Sequence, residues 1–453
     1  MASGVLIPDR MRGELTDRAI SVIHRLSEMI ITLEAHFDGR LDPDRLTRAV
    51  ELVLDAEPVL GCRFVYDRWR PYWERLPLPI NDAFLVAADA ASFEAFACEP
   101  LDPGRGPQLL VCLWPAPEGD RLLVKVGHYA ADAGAVKEAI ERLAETYRRL
   151  ATEPGYEPEP NVGGSRSMGQ VMRHIPWSAR PRITGNYLRA MRGVAGGAPP
   201  TRFPLTSERR EGPPRYALRH LAREQVAAVA EYGRRRQATI NDVVVTAVLR
   251  ALSVLADRSR PTELRLLVTA DLRRHLPGGR GAGLCNMSGI DPMSLGVPPD
   301  LDEGFDGLLA RVTRHTRARK ASWIGLNDYV AMLPVIGWMP MSWLHGFFGM
   351  LIRATNRWRR MPNGLTNMGP IRRETVDFDA APRRAFLRVP PTFPPNFVLG
   401  MSGYGGELSL SAGWYPGSAP EALVERFFDL VVEELRGVEG TEGRRGRGDP
   451  TCR

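Results

Sequence analysis

The sequence has few of the residues from which metal sites and disulfide frameworks are built. Its five cysteines form no Cys-x-x-Cys pair and follow no regular spacing along the 453 residues. No second histidine lies at metal-ligand spacing from His128. We therefore expect no metal, no disulfide scaffold and a reducing, cytoplasmic setting. Residues 1–12 are too polar for a signal peptide.

Lysine is almost absent, since only Lys125, Lys137 and Lys320 occur. Lysine and arginine together number 60 against 53 acidic residues, which gives a formal net charge of +7. The charges are scattered and form no basic runs with interleaved aromatic residues, so we expect no nucleic-acid partner. A modest positive field favours anionic partners such as coenzyme A, an acidic carrier protein or anionic lipid.

One long apolar segment lacks charge altogether. Residues 331–352 contain no Asp, Glu, Lys or Arg and are numerous enough to span a bilayer. Pro334, Pro340 and three glycines interrupt the run, which argues against one straight spanning helix. We favour helices buried inside the protein, ahead of an apolar tunnel or surface patch for a lipophilic substrate and of a membrane span. Arginines follow this segment directly, so residues 331–360 also predict that a cytoplasmic protein makes peripheral contact with a membrane.

The length and the 44% hydrophobic content provide for a large core in two domains or in one two-lobed unit. Alternating apolar residues from Met29 to Phe37 predict a strand, and Asp42 followed by Pro43 predicts the start of a helix. Two apolar runs, 109–114 and 122–126, predict a hairpin. Residues 152–201 are rich in Gly, Pro, Ser and Arg and predict a crossover between two halves.

His128 and Asp132 stand where the second hairpin strand ends and a helix begins. Val136, Ile140 and Leu143 recur at helical spacing after them. An imidazole at a strand end, with an unperturbed pKa of about 6.5, suits a general base. The alternatives are a strand-end histidine with only a structural role, and an aspartate that merely caps the helix.

Five sequence patches, in order over about residues 20–436, resemble the coenzyme-A-dependent acyltransferase superfamily. They are 37–42 with 57–60, 128–134, 238–242, 268–273 with Cys285 and Asn286, and 365–369. The superfamily includes chloramphenicol acetyltransferase, condensation domains of nonribosomal peptide synthetases and mycobacterial polyketide-associated acyltransferases. Its motif is His-His-x-x-x-Asp-Gly. Here Gly127 replaces the first histidine and Ala133 replaces the glycine.

The resemblance implies an α/β (α+β) fold with two chloramphenicol-acetyltransferase-like lobes. Each lobe would be a mixed β-sheet with flanking helices, and a pseudo-twofold axis would relate the lobes across a tunnel. We accordingly divide the chain into an N-terminal lobe (1–180), a C-terminal lobe (181–436) and a disordered tail (437–453). His128 would be the catalytic base at the middle of the tunnel, and Asp132 would pair with Arg273 to brace its loop.

The resemblance further implies an acyltransferase of natural-product or lipid biosynthesis. The acyl donor would be a thioester of coenzyme A or of a phosphopantetheinyl carrier protein, used as co-substrate with no bound cofactor. The acceptor would be the hydroxyl or amine of a lipophilic small molecule. Two alternatives stay open. One is a free-standing condensation enzyme that depends on a carrier protein. The other is a catalytically silent substrate-binding relative, which the replacements at Gly127 and Ala133 would be consistent with.

Four further residues have expected supporting roles in such a site. The developing oxyanion needs a hydrogen-bond donor, for which Thr366, Asn367 and the amide near Gly134 are candidates. Asn286 and Asn367 are expected to fix loops through hydrogen bonds to the backbone.

Overall fold

The computed structural model describes residues 7–77, 80, 82–256, 261–296 and 303–445. The strands are β1 (Arg10–Arg12), β2 (Ile30–His36), β3 (Cys62–Val65), β4 (Tyr72–Arg75), β5 (Phe84–Val86), β6 (Leu109–Ala116), β7 (Gly119–Gly127), β8 (Arg215–Leu221), β9 (Arg265–Asp271), β10 (Ser288–Ser294), β11 (Asn363–Pro370), β12 (Arg384–Arg388), β13 (Val398–Tyr404) and β14 (Glu407–Trp414). The helices are α1 (Leu15–Ile23), α2 (Pro43–Ala56), α3 (Ala90–Cys98), α4 (Ala133–Thr152), α5 (Gly169–Met172), α6 (Arg180–Gly196), α7 (Arg223–Arg235), α8 (Ile240–Leu255), α9 (Gly304–Lys320), α10 (Asn327–Trp338), α11 (Met341–Arg357) and α12 (Glu421–Arg445).

Two mixed sheets with flanking helices dominate the described part of the chain, as the sequence predicts. The first has the order β12-β2-β7-β6-β5, and only the β5–β6 pair is parallel. The second has the order β10-β9-β11-β13-β14-β8, with β11 parallel to both β9 and β13. A small sheet, β1-β4-β3, lies beside the first.

The helices and strands of the first sheet form where the local sequence signals predict them. Asp42 caps α2 by accepting hydrogen bonds from the amides of Asp44 and Arg45, at 3.0 and 3.1 Å. Helices α2 and α4 bury their apolar stripes in the same core as strands β2, β6 and β7. Because β6 and β7 form a tight hairpin, β7 delivers the chain directly to residue 128.

The second sheet encloses its own core together with three long helices. Inward side chains of α8, α9 and α12 pack with those of β9, β13 and β14. The N-terminus of α8 is fixed by a capping box, since Thr239 accepts from the amide of Asp242 and the Asp242 carboxylate accepts from the amide of Thr239.

The two sheets are not made from two continuous halves of the chain. Strand β12 leaves the second half and pairs antiparallel with β2, opposite residues His36 to Thr32. Leu387 and Val389 therefore belong to the core of the first sheet. The division near residue 180 stays a prediction, and β12 lies in the second half of the chain while it packs in the first sheet.

The last helix, α12, extends past residue 437, where the sequence predicts that a disordered tail begins. Helix α12 continues to Arg445, because Val438 is buried in the core of the second sheet and holds the helix beyond Leu435. Residues 446–453 lie outside the described residues.

The expectation that segment 331–352 forms buried helices is wrong. The segment makes two helices, α10 and α11, that meet at Met339 and Pro340. They bury one side against α1 through Ile336, Met341 and Leu344. The opposite side carries large apolar side chains in solvent, among them Trp338 at 86% exposure. This outward face agrees with the alternative of an apolar surface patch, whose use by a lipophilic substrate stays a prediction.

Membrane crossing was the last of the three interpretations of this segment. Within the described ranges, no single helix is long and apolar enough to cross a bilayer. Helices α7 and α8 reach the length and apolar composition of a membrane span only when they are counted together, and the angle between them is 99°.

A buried ion pair fastens the returning strand β12 to the first sheet. Arg388 of β12 binds Glu34 of β2, and their side chains are 1% and 0% exposed. Arg388 also binds Glu94 at 3.0 Å, and His36 lies 2.7 Å from Glu34. Burial alone would raise the pKa of Glu34, but the charges of Arg388 and Arg121, together with the hydrogen bond from His36, hold this pKa far below its usual value.

We expect Arg388→Met to lower the free energy of unfolding by about 3 kcal/mol, because it leaves a carboxylate buried without its main partner. The measurement is the shift of the urea unfolding midpoint at neutral pH. Arg48→Met is the matched control, since Arg48 forms an exposed pair with Glu51 on α2 and should shift the midpoint little. Equal shifts in the two variants would contradict the importance assigned to Arg388.

Candidate active site

His128 follows the last residue of β7 and is held by the backbone on both sides. Its amide donates to the carbonyl oxygen of Met29 at 2.7 Å, which extends the pairing of β7 with β2. Its ring atom Nδ1 lies 3.0 Å from the carbonyl oxygen of Ala131. Because a carbonyl oxygen can only accept, Nδ1 carries the hydrogen. The unprotonated nitrogen of the neutral ring is therefore Nε2.

The imidazole of His128 is held in its neutral form. Burial lowers the pKa of His128 below the usual 6.5, and the nearby charge of Asp132 offsets this effect only in part. The residue nevertheless keeps part of its surface accessible. Among the described residues no hydrogen bond engages Nε2, and a neutral imidazole with this nitrogen available can accept a proton, as a general base must.

Asp132 both caps α4 and forms an ion pair. Its Oδ1 accepts from the amide of Ala135 at 3.0 Å, and its Oδ2 accepts from the amide of Met287 at 2.7 Å. Arg273 places Nη1 at 2.9 Å from the same carboxylate. The capping and ion-pair interpretations of the sequence thus describe one arrangement. Within the described residues no hydrogen bond joins Asp132 to the His128 ring, so the carboxylate braces the loop.

Arg273 reaches this loop from the second sheet. It lies in a short turn after β9, where Asp271 accepts a hydrogen bond from its amide at 2.9 Å. The guanidinium also donates to the carbonyl oxygen of Cys285 at 3.2 Å. Burial alone would raise the pKa of Asp132, but the charge and hydrogen bonds of Arg273 hold this pKa below its usual value. The ion pair therefore stays charged at neutral pH.

Gly134 is the position over which the Arg273 guanidinium lies. A Cβ placed on Gly134 would be 2.6 Å from Nη1 of Arg273 and 3.0 Å from its Cζ. Any larger side chain would push the guanidinium away from Asp132. The sequence therefore keeps glycine here, although alanine stands at position 133, where the superfamily motif has glycine.

Asn286 holds the backbone of the loop itself. Its Nδ2 donates to the carbonyl oxygens of His128 and Tyr129, at 2.9 and 3.1 Å. Together with the Met287 amide and the Cys285 carbonyl, it makes residues 285–287 a clamp on the loop. The structure thus brings together five of the expected residues: His128, Asp132, Gly134, Arg273 and Asn286.

Thr366 and Asn367 lie on β11. The hydroxyl of Thr366 is 2.8 Å from that of Thr269 on the neighbouring strand. Asn367 is exposed, donates to Asn241 at 3.2 Å and accepts from the amide of Gly369 at 2.9 Å. In the described part of the chain, neither residue has a hydrogen bond to His128 or Asp132.

Sequence reasoning missed the contribution of Arg166. Its guanidinium pairs with Asp17 of α1 through two contacts of 2.9 and 3.0 Å. It also donates to the carbonyl oxygens of Ala130, at 3.3 Å, and Leu284, at 2.9 Å. Arg166 thereby holds both the loop and the segment that leads into the clamp, in addition to Arg273 and Asn286. It stands alone in a Gly- and Ser-rich stretch, so no periodicity or local motif could have indicated this role.

No family model and no curated protein sequence match this chain. Several solved structures resemble it in fold. The trichothecene 15-O-acetyltransferase TRI3 from Fusarium sporotrichioides gives a TM-score of 0.70 at 10% identity, covering 95% of this chain and 94% of that one. The first condensation domain of the CDA synthetase gives 0.65 at 18% identity, covering 94% and 96%.

Polyketide synthase associated protein 5 from Mycobacterium tuberculosis gives a TM-score of 0.62 at 16% identity, covering 94% of this chain and all of that one. These matches extend over nearly the whole chain, and their low identities establish the fold alone. The chain therefore has the two-lobed, chloramphenicol-acetyltransferase-like fold of the coenzyme-A-dependent acyltransferases and condensation domains.

Proposed function

We propose that the protein is an acyltransferase that moves an acyl group from a thioester to a hydroxyl or amine, with His128 as general base. The observation that carries the proposal is the orientation of the imidazole. Its Nδ1 is engaged by the carbonyl oxygen of Ala131, which leaves Nε2 free to accept a proton. The fold supports the same reaction class.

The proposed reaction requires little beyond a positioned base. As the acceptor oxygen or nitrogen attacks the thioester carbonyl carbon, its proton passes to Nε2 of His128. The tetrahedral intermediate then collapses, the carbon–sulfur bond breaks, and the proton passes from the imidazolium to the thiolate. The products are an ester or amide and a free thiol. A base of this kind contributes roughly 10²- to 10⁴-fold to the rate.

Thr366 is our proposed donor to the oxyanion. Lys137 of α4 donates to the carbonyl oxygens of Met368 and Pro370, at 2.8 and 3.1 Å, so the start of α4 is fastened to the end of β11. The Thr366 hydroxyl lies two residues before this junction and is half-buried. The side chain of Asn367 already uses its oxygen and nitrogen in fixing the turn, which makes it the weaker candidate.

The donor that we propose is an acyl-CoA or an acyl carrier protein, and the acceptor is a lipophilic small molecule. The exposed apolar side of α10 and α11 supports an apolar acceptor. The net charge of +7 supports an anionic donor. Neither thioester is a resident cofactor, since each is consumed. Activity only with the carrier-bound donor would select the free-standing condensation enzyme.

We expect His128→Ala to reduce thiol release from the thioester by at least about 100-fold, because the acceptor loses its base. The measurement is free thiol, titrated while purified protein turns over acyl-CoA or acyl carrier protein with alcohols and amines. His174→Ala is the control, since His174 is an exposed histidine and should leave the rate unchanged.

Two outcomes would contradict this proposal. Undiminished thiol release by the His128→Ala variant would remove the base. Thermal stabilisation of the wild-type protein by thioesters or acceptors, without any thiol release, would identify a silent substrate-binding relative.

We expect the acid limb of kcat/KM to have its midpoint below pH 6.5. Only the neutral imidazole is a base, and burial lowers the pKa of His128, so the active form persists to lower pH than a free histidine would allow. Below the midpoint the rate should fall about tenfold per pH unit. An alcohol acceptor avoids a second titration. A midpoint above pH 7 would disagree with the buried environment of the ring.

We expect Gly134→Ala to lower both turnover and the free energy of unfolding, the latter by about 1–3 kcal/mol, because the added methyl group displaces Arg273 from Asp132. Activity and urea midpoint are measured on the same preparation. Gly185→Ala on α6 is the control, since open space surrounds that position and alanine favours a helix. Full activity in the Gly134→Ala variant would show that the brace does not position His128.

A further inference from the structure

The outward side of α10 and α11 is an apolar surface of unusual composition. Helix α11 buries Met341 and Leu344, yet the positions between them and after them point large apolar groups into solvent. The exposed side chains include Trp338 of α10 and, along α11, Trp343, Phe347, Met350 and Leu351. A folded chain rarely exposes so contiguous an apolar surface without a partner for it.

The surface extends beyond the two helices to the loop between β3 and β4. Trp69 of that loop, 54% exposed, lines one apolar hollow together with Val335, Trp338, Met339, Pro340 and Trp343. The Met341 amide donates to the carbonyl oxygen of Arg68 at 2.8 Å, which fixes the loop against the start of α11. We call the exposed residues of α10, α11 and this loop the aromatic face.

Positive charge borders the aromatic face. Arg353, Arg357 and Arg359 are exposed, and within the described residues none of them has an ion-pair partner. The sequence contains no acidic residue between positions 329 and 373. Asp67 is the acid in the adjoining loop, and its carboxylate accepts from the amides of Trp69 and Arg70. These three arginines are therefore available to an external anion.

We propose that the aromatic face docks on the surface of an anionic lipid bilayer. Tryptophan side chains favour the headgroup level of a membrane, where the ring lies in an apolar layer and its N–H remains hydrated. Arginines beside them bind anionic headgroups, at about 1 kcal/mol for each residue near the surface. A helix that is apolar on its outer side and flanked by arginine matches interfacial helices, which lie in the membrane plane.

Other occupants fit the face less well. An acidic carrier protein would pair with the arginines. It would leave several exposed apolar side chains, such as Trp338 and Met350, without apolar contacts. A second copy of the chain would bring arginines against arginines across a twofold interface. A bilayer satisfies both the apolar and the basic components at once.

The face adjoins the loop that carries His128. His345, on the inner side of α11, packs edge-on against the ring of Tyr66, with centroids 6.2 Å apart. The Tyr66 hydroxyl lies 2.6 Å from that of Tyr129, the residue after His128. These contacts connect α11 to His128 through Tyr66 and Tyr129. If His128 is the base, as the proposed function has it, the base lies beside the docked membrane, from which a lipophilic acceptor would enter.

Vesicle co-sedimentation of the full-length protein tests the docking. We expect binding to vesicles of equal parts phosphatidylcholine and phosphatidylglycerol, weaker binding to phosphatidylcholine alone, and weakening of the former as salt is raised. The double variant Trp343→Ser with Met350→Ser should lose at least about tenfold in affinity for the mixed vesicles. The double variant Arg353→Glu with Arg357→Glu should lose at least about tenfold there and show no preference for anionic lipid.

The matched control combines Leu85→Ser with Arg426→Glu. It removes one exposed apolar group on β5 and one exposed arginine on α12, and it should bind as the wild type does. All four changes in the test variants are at exposed positions, so unchanged circular dichroism is expected and is checked.

Three results would overturn the proposal: no binding to either vesicle, equal loss in the control and test variants, or a protein dimer that the Trp343→Ser, Met350→Ser variant dissolves. If the protein binds an acyl carrier protein but not vesicles, and these variants abolish that binding, the aromatic face is the docking site of the carrier protein instead. Because no substrate is present, the His128→Ala variant should bind vesicles normally, so failure of the catalytic proposal is distinguishable from failure of docking.

Discussion

The site depends on the ion pair between Asp132 and Arg273. Taking both charges out of water is costly, and the structure offsets that cost by engaging the carboxylate with two backbone amides as well as the guanidinium. These contacts fix where α4 begins, and α4 begins five residues after the expected base. The His128 ring is then set by two carbonyl oxygens, one bound by its amide and one by its Nδ1. The pair joins the loop of the first sheet to the turn after β9.

Buried arginines also join two other pairs of distant segments. Arg388 joins β12 to β2, and Arg166 joins the crossover to α1 and to the 128–134 loop. A guanidinium is suited to this work because its planar fork binds a carboxylate and still has donors for carbonyl oxygens. The near absence of lysine thus has a structural counterpart: buried arginines, each with several partners, hold the segments around the site.

The outcome for segment 331–352 illustrates what hydrophobicity can and cannot predict. The run of apolar residues correctly indicated helices interrupted near Pro340. Its total hydrophobicity did not indicate orientation, because a helix that is apolar on both sides offers no periodicity from which the inner side can be identified. Only the packing of α1 against Ile336 and Leu344 decides which side is covered, and it leaves the tryptophans of the aromatic face outside.

The sequence by itself determined the local elements and the spacing of His128 and Asp132. Alternation, caps and helical spacing specified β2, α2, the β6–β7 hairpin and α4, because these signals act over a few residues. The spacing of His128 and Asp132 likewise depends on one strand end and one helix start. Tertiary structure alone decided that β12 returns to the first sheet, that Gly134 lies under a guanidinium and that Arg166 supports the loop. Those contacts join residues about thirty to several hundred positions apart, and no local pattern encodes them because the chain must first be folded to bring them together.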